Sequence, residues 1–348
     1  MRAIQAHRIP AIDIARGWAV LTMFIAHTQP DDEGGFFGRL LAVAGGGERP
    51  RTLFAITGGI ALGLFVASRL REGQLLGEVR RTVAIRGIFL VALGLFLQTM
   101  SSGVSIVLDT WGLLFLIALP FLVTKSRALL IGAAVLLVIG SAIRVAVSGR
   151  ASAFVLEHTE LAQLSDWFTT GSYPLLIWAA FLAVGFAVSR LDLTTRRSQL
   201  IITGSGAVLT IAVVAALVSD GDAPLTFPQE LLRHIAAIGA ALLVVGVLLL
   251  LTSGRNALAR VLGIVLWPLR AVGSMPLTVY TAHVLALTVW YSSDAPGYGT
   301  WEPFVVLTLC SLVFATVWRL TMGQGPLERL IALVSRPPRF RVNPGGPA

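Results

Sequence analysis

Apolar runs long enough to cross a membrane recur along almost the whole chain. The hydrocarbon core of a bilayer is about 30 Å thick, so a spanning helix needs about 20 apolar residues, with a range of roughly 17–25. Backbone that faces lipid must satisfy its own hydrogen bonds, which makes helices the expected form of these runs. The sequence therefore predicts an all-α, polytopic transmembrane bundle of about ten helices. The predicted spans are residues 11–29, 52–68, 84–100, 110–124, 128–147, 174–189, 199–218, 231–252, 272–291 and 304–321.

The composition supports a membrane environment. Charged residues make up 13% of the 348 residues and hydrophobic residues 55%, whereas a soluble domain carries about 25% charged residues to wet its surface. The net charge of +9 does not indicate a nucleic-acid partner, because the basic residues lie in short segments between apolar runs and form no aromatic-interleaved face. The single cysteine, Cys310, excludes an intramolecular disulfide and a multi-cysteine metal site. The lipid bilayer is the partner that the composition predicts.

The distribution of basic residues predicts the orientation of the bundle. Cytoplasmic loops of membrane proteins carry an excess of lysine and arginine. With a cytoplasmic N-terminus, most basic residues fall on the cytoplasmic side and most acidic residues on the opposite side. We therefore expect both termini to be cytoplasmic. The basic segments assigned to that side are residues 2–16, 69–86, 125–127, 190–197, 255–270 and 319–341.

Residues 1–336 are predicted to form a single transmembrane bundle that ends in a short helix lying on the inner membrane surface. This helix opens at the sequence Gly-Pro-Leu-Glu, residues 325–328, and carries Leu327, Leu330, Ile331 and Val334 on one face. Proline in the first turn and apolar residues spaced three to four apart are typical of an interfacial helix. Residues 337–348 are rich in proline, glycine and arginine, and are predicted to be a disordered cytoplasmic tail.

The first predicted span contains three ionisable residues, Asp13, Arg16 and His27. Ionisable groups within membrane spans are costly and usually face the bundle interior, so they are the first candidates for a functional site. Asp13 and Arg16 share a helix face and are spaced to form an ion pair. His27 lies about 16 Å further along the same helix, near its outer end. A salt bridge that fixes topology, together with an interfacial histidine, would explain the same residues without a function.

Two more polar positions lie at outer ends of spans. Asp109 opens the fourth span, where the helix macrodipole alone favours an acidic residue. Glu230 and His234 are four residues apart at the start of the eighth span, a spacing suited to a carboxylate–histidine pair that transfers protons. Helix capping and an interfacial histidine explain this pair equally well.

The ninth span carries His283 on the same helix face as Pro276 and Tyr280. A buried histidine there needs a polar partner, in a proton relay, a substrate contact or a core hydrogen bond. The helix begins after residues 273–274, close to Arg270, and a helix N-terminus beside an arginine is suited to holding a phosphate. The five histidines are scattered and lack metal-ligand spacing, so no metal site is predicted.

Five short segments, in order along the chain, resemble one pattern. They are residues 8–19 with Met23 and His27, then 51–59, 108–114, 273–280 and 325–328. Together they resemble the heparan-α-glucosaminide N-acetyltransferase-like and YeiB-like bacterial membrane families, which are similar in turn to the wider transmembrane acyltransferases. The chain departs from the eukaryotic enzyme in one respect, because its residues 30–50 contain no histidine, whereas that enzyme has an essential histidine in the corresponding loop.

The resemblance implies a protein of the bacterial plasma membrane that moves an acyl group, expected to be acetyl, out of the cytosol. The donor would be acetyl-CoA, and the acceptor a glycan or another envelope molecule on the far side. The resemblance assigns His27 to the reaction centre as the candidate general base. The residues assigned to catalysis are His27, Asp109 and His283, and those assigned to acetyl-CoA are Arg16, Asp13, Arg51 and Tyr280.

Two other functions remain open at this point. A secondary transporter of a small solute would use His27, His283 and Asp109 as proton or substrate contacts. Such transporters are usually built from repeated halves with broken helices, and no internal repeat stands out in this sequence. A non-catalytic scaffold for envelope assembly is the third class, and it predicts that replacing His27 leaves function intact.

Overall fold

The computed structural model describes residues 9–28, 48–100, 103–147, 164, 167–168, 171–217, 226–254, 256–293 and 300–336. Within these ranges the chain is all-helical, with thirteen α-helices and no strand. The helices are α1 Pro10–Thr28, α2 Arg49–Arg71, α3 Leu76–Gln98, α4 Leu108–Ala118, α5 Ser126–Val147, α6 Leu175–Val188, α7 Arg196–Leu217, α8 Phe227–Thr252, α9 Ala257–Val265, α10 Trp267–Ser274, α11 Pro276–Tyr291, α12 Trp301–Thr321 and α13 Pro326–Val334. The predicted disordered tail, residues 337–348, lies outside the described residues.

Five of these helices are long and apolar enough to cross a bilayer, namely α2, α3, α5, α8 and α12. Helices α9 and α10 pass the same test only as a pair, and they are bent by 60° relative to each other, as in a broken span or a re-entrant loop. Helices α4 and α6 are apolar but shorter, and α4 continues into a single 3₁₀ turn, Leu119–Phe121. The chain is therefore a multi-pass membrane protein. Nine of the ten predicted spans each overlap one described helix, the predicted span 272–291 overlaps the end of α10 and all of α11, and the count of ten spans stays a prediction.

The region around residues 257–275 differs from the sequence prediction. The prediction placed no helix at residues 257–271, where the structure has α9 and most of α10, and it drew one continuous span over residues 272–291. That span is interrupted at Met275, which has φ −136° and ψ 53° between the end of α10 and the start of α11. Pro276 explains the break, because proline disfavours helical geometry at the residue before it.

Consecutive helices from α1 to α8 alternate in direction, so the bundle has two ends, which we name after the two ends of α1. The Pro10 end holds the starts of α1, α3, α5 and α7 and the ends of α2, α4, α6 and α8. The His27 end holds the opposite ends of the same helices. Antiparallel packing follows from pairs of glycine contacts. On α3 and α4, Gly87 meets Gly112 and Gly94 meets Asp109; on α8 and α7, Gly239 meets Thr210 and Gly246 meets Thr203.

Helix α1 lies at the centre of the bundle rather than at its lipid-facing surface. Most of its residues are buried, including Asp13, which is 8% exposed. It contacts α2, α8, α10, α11 and α12. A charged helix can occupy this position because other helices, and not lipid, surround it. The two cores of the protein, one around Trp178, Phe181 and Tyr280 and one around Phe24 and Met275, both include residues of α1 or pack against it.

Two glycines allow α1 and α10 to pack backbone against backbone. A Cβ atom on Gly17 would lie 2.0 Å from the carbonyl oxygen of Leu269, and one on Gly273 would lie 1.7 Å from the carbonyl oxygen of Asp13. Small residues at helix interfaces are the usual means of close approach in membranes. Gly273 belongs to the same short segment that resembles the family pattern, and the contact gives it a structural reason.

Replacing Gly273 by alanine is expected to push α10 away from α1 and to destabilise the protein by about 1–3 kcal/mol, the usual cost of overpacking. Thermal unfolding of the purified protein in detergent measures the effect. Gly204→Ala is the matched control, because a Cβ atom at Gly204 meets open space. Equal melting temperatures for the two variants would contradict the close contact.

Candidate functional site

Two of the candidate catalytic histidines form a pair. Nδ1 of His27 lies 3.0 Å from Nε2 of His283, a hydrogen bond in which either ring can carry the proton. The two rings are parallel, with centroids 5.1 Å apart and planes 4° apart. The hydroxyl of Tyr291 donates to the carbonyl oxygen of His27 at 3.4 Å. The His27–His283 hydrogen bond joins the last turn of α1 to the middle of α11. Two histidines 256 residues apart therefore share one proton between their rings.

Tyr280 connects this histidine pair to α4. Its ring meets that of His283 edge-on, with centroids 4.9 Å apart. Its hydroxyl accepts a hydrogen bond from the backbone N–H of Val107 at 3.1 Å. Val107 directly precedes the first turn of α4, which carries Asp109. The predicted shared face of Pro276, Tyr280 and His283 is thus directed towards α1 and α4.

A cavity of about 200 Å³, which we call the arginine cavity, lies on one side of Tyr280. Its lining is apolar and aromatic except for two guanidinium groups, those of Arg16 and Arg86. Arg16 donates to the carbonyl oxygen of Thr57 at 3.0 Å. The Arg86 guanidinium lies 4.3 Å from the centre of the Phe65 ring, and its Nε donates to the hydroxyl of Ser335 at 3.3 Å. The ion pair predicted between Asp13 and Arg16 stays a prediction.

A second cavity of about 410 Å³, which we call the Asp109 cavity, lies towards the His27 end and is mainly polar. Asp109 is 1% exposed. Its Oδ2 accepts hydrogen bonds from Gln98 at 2.7 Å and from the indole N–H of Trp167 at 2.6 Å. Its Oδ1 is buried and makes no hydrogen bond to the described residues. A buried carboxylate oxygen without a donor is costly, so this oxygen is suited to a ligand's hydroxyl or amine.

The first turn of α4 forms the wall between the two cavities. Leu108 and Trp111 line the arginine cavity, whereas Asp109 and Thr110 line the Asp109 cavity. The turn sits tightly against α3, since a Cβ atom on Gly94 would lie 2.3 Å from the backbone nitrogen of Asp109. Residues of one turn therefore face opposite cavities. Tyr280, which contacts both Val107 and His283, connects the histidine pair to this wall.

The four residues assigned to acetyl-CoA do not lie together. Arg16 and Tyr280 line the arginine cavity, and Asp13 is buried on the same helix as Arg16. Arg51 instead lies at the His27 end, where it donates to the carbonyl oxygen of Ser172 at 3.2 Å. Ser172 lines the Asp109 cavity. The structure thus separates Arg51 from the other three and brings it to the second cavity.

Glu230 and His234 form a separate cluster away from the histidine pair. Oε1 of Glu230 lies 3.0 Å from Nε of Arg144 and 3.8 Å from Nε2 of His234. The Nδ1 of His234 lies 3.3 Å from the hydroxyl of Ser141. The carboxylate–histidine pair predicted from spacing exists, but an arginine from α5 is its closer partner.

The start of α11 does not offer a phosphate site of the kind that the sequence indicated. The carboxylate of Glu328, from α13, accepts hydrogen bonds there from the backbone N–H groups of Leu277 at 2.7 Å and Thr278 at 3.2 Å. It also accepts one from the hydroxyl of Thr278 at 2.5 Å. The Glu328 carboxylate already satisfies this helix N-terminus, so these backbone N–H groups are not free to hold a phosphate.

Sequence reasoning missed Arg86, Gln98, Trp167 and Tyr173 as cavity residues. Arg86 carried a usable signal, because it is an arginine inside an apolar run and was counted only for topology. Gln98, Trp167 and Tyr173 lie in or next to polar segments, where nothing in their spacing distinguishes them. Their contacts with Asp109 and Ser105 depend on tertiary packing.

The fold and the site define a class of protein: a multi-pass membrane helix bundle with a histidine pair, His283 buried and His27 half-buried, beside the wall between two cavities. A family model described as "Heparan-alpha-glucosaminide N-acetyltransferase, catalytic" matches residues 8–227. This match covers more than half of the chain, and the chain belongs to that family. A second model, a protein family of unknown function, matches residues 185–335. A search of curated proteins finds no match.

Proposed function

We propose that the protein is a membrane-embedded acetyltransferase that moves an acetyl group from cytosolic acetyl-CoA to a glycan or envelope acceptor on the far side. The observation that carries this proposal is the His27–His283 pair beside the wall between two chemically different cavities. One cavity contains guanidinium groups and the other a buried carboxylate. The family match supports membrane acetyl transfer, and the two cavities suggest where donor and acceptor would meet.

The proposed topology has ten spans in the bacterial plasma membrane, formed by α1 to α8, α11 and α12, with both termini in the cytoplasm. The Pro10 end carries most of the described basic residues, including Arg80, Arg81, Arg196 and Arg197. The His27 end carries few. An excess of basic residues on the cytoplasmic side supports assigning the Pro10 end to the cytoplasm.

The arginine cavity is the proposed site of the donor's thioester arm. At about 200 Å³ it is smaller than the roughly 300–1,000 Å³ of sites that enclose whole ligands. We therefore expect the nucleotide to stay at the Pro10 end and only the acetyl-bearing arm to enter. Arg86, held by Phe65 and Ser335, would bind a donor phosphate or carbonyl oxygen. Arg16 and Tyr280 would line the inner part of the path, with Asp13 supporting Arg16.

The Asp109 cavity is the proposed acceptor site. Oδ1 of Asp109 would accept a hydrogen bond from the acceptor's hydroxyl or amine. Tyr173 and Trp167 present ring faces and edges suited to an acceptor that is partly apolar. Arg51, which contacts Ser172 at the edge of this cavity, is now assigned to the acceptor side.

His27 is the proposed general base. Its Nδ1 is engaged with His283, so Nε2 is the nitrogen that we assign to the acceptor's proton. Neither histidine lines either cavity, so this role requires the acceptor's reacting group to extend from the Asp109 cavity to His27. Loss of that proton lets the acceptor oxygen or nitrogen attack the thioester carbonyl carbon. The new C–O or C–N bond forms as the C–S bond breaks, and the CoA thiolate takes up a proton as it leaves. His283 would stabilise the protonated state of His27 by sharing the proton.

The test uses the purified protein in liposomes, with labelled acetyl-CoA on the side of the Pro10 end and a hydroxyl- or amine-bearing glycan on the other. The proposal expects labelled glycan on the far side. Flux of a solute without labelled glycan would instead support a transporter. The bent pair α9–α10 is the structural observation that favours this alternative, because transporters use broken helices.

Arg86→Gln is expected to raise the KM for acetyl-CoA by about tenfold or more, because a hydrogen bond to a charged group contributes roughly 1.5–3 kcal/mol. The value of kcat should change less. Steady-state transfer rates at varied acetyl-CoA concentration measure both. Arg81→Gln is the matched control, because Arg81 is exposed on the same helix and does not line the cavity. An unchanged KM in Arg86→Gln would remove Arg86 from the donor site.

A further inference from the structure

A third cavity is an apolar cleft between α4 and α5, with a volume of about 440 Å³. Its floor is buried and consists of residues such as Leu62, Leu114, Ala133 and Leu182. Its rim is exposed, with Ile117 at 43%, Phe121 at 51% and Val135 at 51%. The cleft therefore opens sideways on the surface that faces lipid, and its volume falls in the roughly 300–1,000 Å³ range of ligand sites.

Four cations lie on or beside the segments at the Pro10 end of this cleft, although none of them is among its lining residues. The 3₁₀ turn Leu119–Phe121 closes the cleft there, and two arginines bind the turn and the residue after it. Nε of Arg80 donates to the carbonyl oxygen of Leu119 at 3.1 Å, and Nη2 of Arg190 donates to that of Leu122 at 2.6 Å. Lys125 and Arg127 are exposed and flank the start of α5. Apolar and cationic surfaces thus meet at one end of the cleft.

These cations are not neutralised by acidic neighbours. None of the four makes an ion pair with a carboxylate in the part of the chain that the structure describes. The acidic residues nearest along the chain are Glu78 and Asp192, and each binds locally. Glu78 accepts from the backbone N–H of Leu75. Hydrogen bonds from the side chain and backbone of Thr194 hold the pKa of Asp192 below its usual value.

We propose that this cleft binds one anionic phospholipid, with an acyl chain between α4 and α5 and the phosphate among Arg80, Lys125, Arg127 and Arg190. Basic pockets between transmembrane helices on the cytoplasmic side are suited to anionic headgroups. The opening towards lipid gives a bilayer molecule direct access. A second copy of the chain fits the cleft less well, because an apolar helix of that copy would bring no negative charge to the four cations.

The site bears on the arginine cavity through a shared wall. Leu62 lines both the cleft and the arginine cavity. A bound acyl chain would therefore support the wall behind the proposed donor site. The lipid site itself does not depend on the proposed acetyltransferase function, and its test has no enzymatic readout.

The experiment is native mass spectrometry of the full-length protein with phosphatidylglycerol or phosphatidylcholine of identical acyl chains. A basic side chain near anionic headgroups contributes about fivefold to affinity. Wild type is therefore expected to prefer phosphatidylglycerol by about tenfold or more. The double variant Lys125→Gln/Arg127→Gln should lose most of this preference. The control Arg196→Gln/Arg197→Gln removes two exposed arginines at the same end, outside the cleft, and should keep it.

A second pair of variants tests the position of the acyl chain. A Cβ atom on Gly132 meets open space, and Gly132 lines the cleft, so the side chain of Gly132→Phe can start into the cleft and is expected to fill it. It is expected to abolish tight binding of phosphatidylglycerol. Gly204→Phe places the same ring on α7, away from the cleft, and should bind as wild type. Retained binding in Gly132→Phe, equal affinity for both lipids, or a dimer that Gly132→Phe dissociates without any bound lipid would each overturn the proposal.

Discussion

His27→Gln is expected to lower the rate of acetyl transfer by about 10²–10⁴-fold, the usual contribution of a positioned general base. Glutamine can keep a hydrogen bond to His283 but cannot take the acceptor's proton at neutral pH. His27 and His283 are in contact at 3.0 Å, so this substitution removes the proposed base and leaves its partner His283 in place. Donor binding should be almost unchanged, because His27 does not line the arginine cavity. Single-turnover transfer in liposomes measures the loss, and equilibrium binding of labelled acetyl-CoA measures the donor.

His234→Gln is the matched control for this prediction. His234 is another histidine near the His27 end, but it is buried and belongs to the cluster with Glu230 and Ser141. Its replacement is expected to leave the transfer rate within a few fold of wild type once folded protein is compared. Full activity in His27→Gln would exclude the proposed base, and it is the outcome that a non-catalytic scaffold predicts.

Glu328→Gln is expected to reduce transfer by up to about 10²-fold, because small displacements of catalytic groups have effects of that size. Glu328 accepts three hydrogen bonds at the start of α11, the helix that carries Tyr280 and His283. Glutamine would keep the shape but lose the charge that favours a helix N-terminus. The value of kcat should fall more than the affinity for acetyl-CoA changes, and transfer rates with donor titrations distinguish the two.

The control for Glu328 is Glu302→Gln, which removes an acidic residue from the first turn of α12. Glu302 lies in the first turn of its own helix, whereas Glu328 caps a different one. Replacement of Glu302 should lower the melting temperature slightly and leave kcat unchanged. If Glu328→Gln loses stability without any change in kcat, Glu328 has no positioning role.

Sequence reasoning predicted the helical, membrane-spanning character well, because hydrophobic length is a local property. It failed around residues 257–275, where short amphipathic helices α9 and α10 are bent by 60° and neither is long enough to stand out as a span. Pro276 is the first residue of α11, whereas the predicted span began at residue 272. The break before it was missed because the apolar run continues through Met275.

The candidate site was predicted in pieces. His27 and His283 were each chosen as intramembrane histidines, but their contact spans 256 residues and no local pattern encodes it. Asp109 was a weak candidate by spacing alone, and its burial with Gln98 and Trp167 is a tertiary property. Arg51 and Arg16 were placed in one group because both are arginines in matching segments. The packing of α6 against α2 brings Arg51 to Ser172 instead.

The first turn of α4, with Leu108 and Asp109 on opposite cavities, has an electrical consequence. A helix is about 10 Å wide, so if water fills both cavities, most of the membrane potential falls across this short distance. Moving one elementary charge through it involves about 2.3 kcal/mol per 100 mV. An acetyl group is neutral and crosses without electrical work, whereas the nucleotide that delivers it would have to cross with its charges.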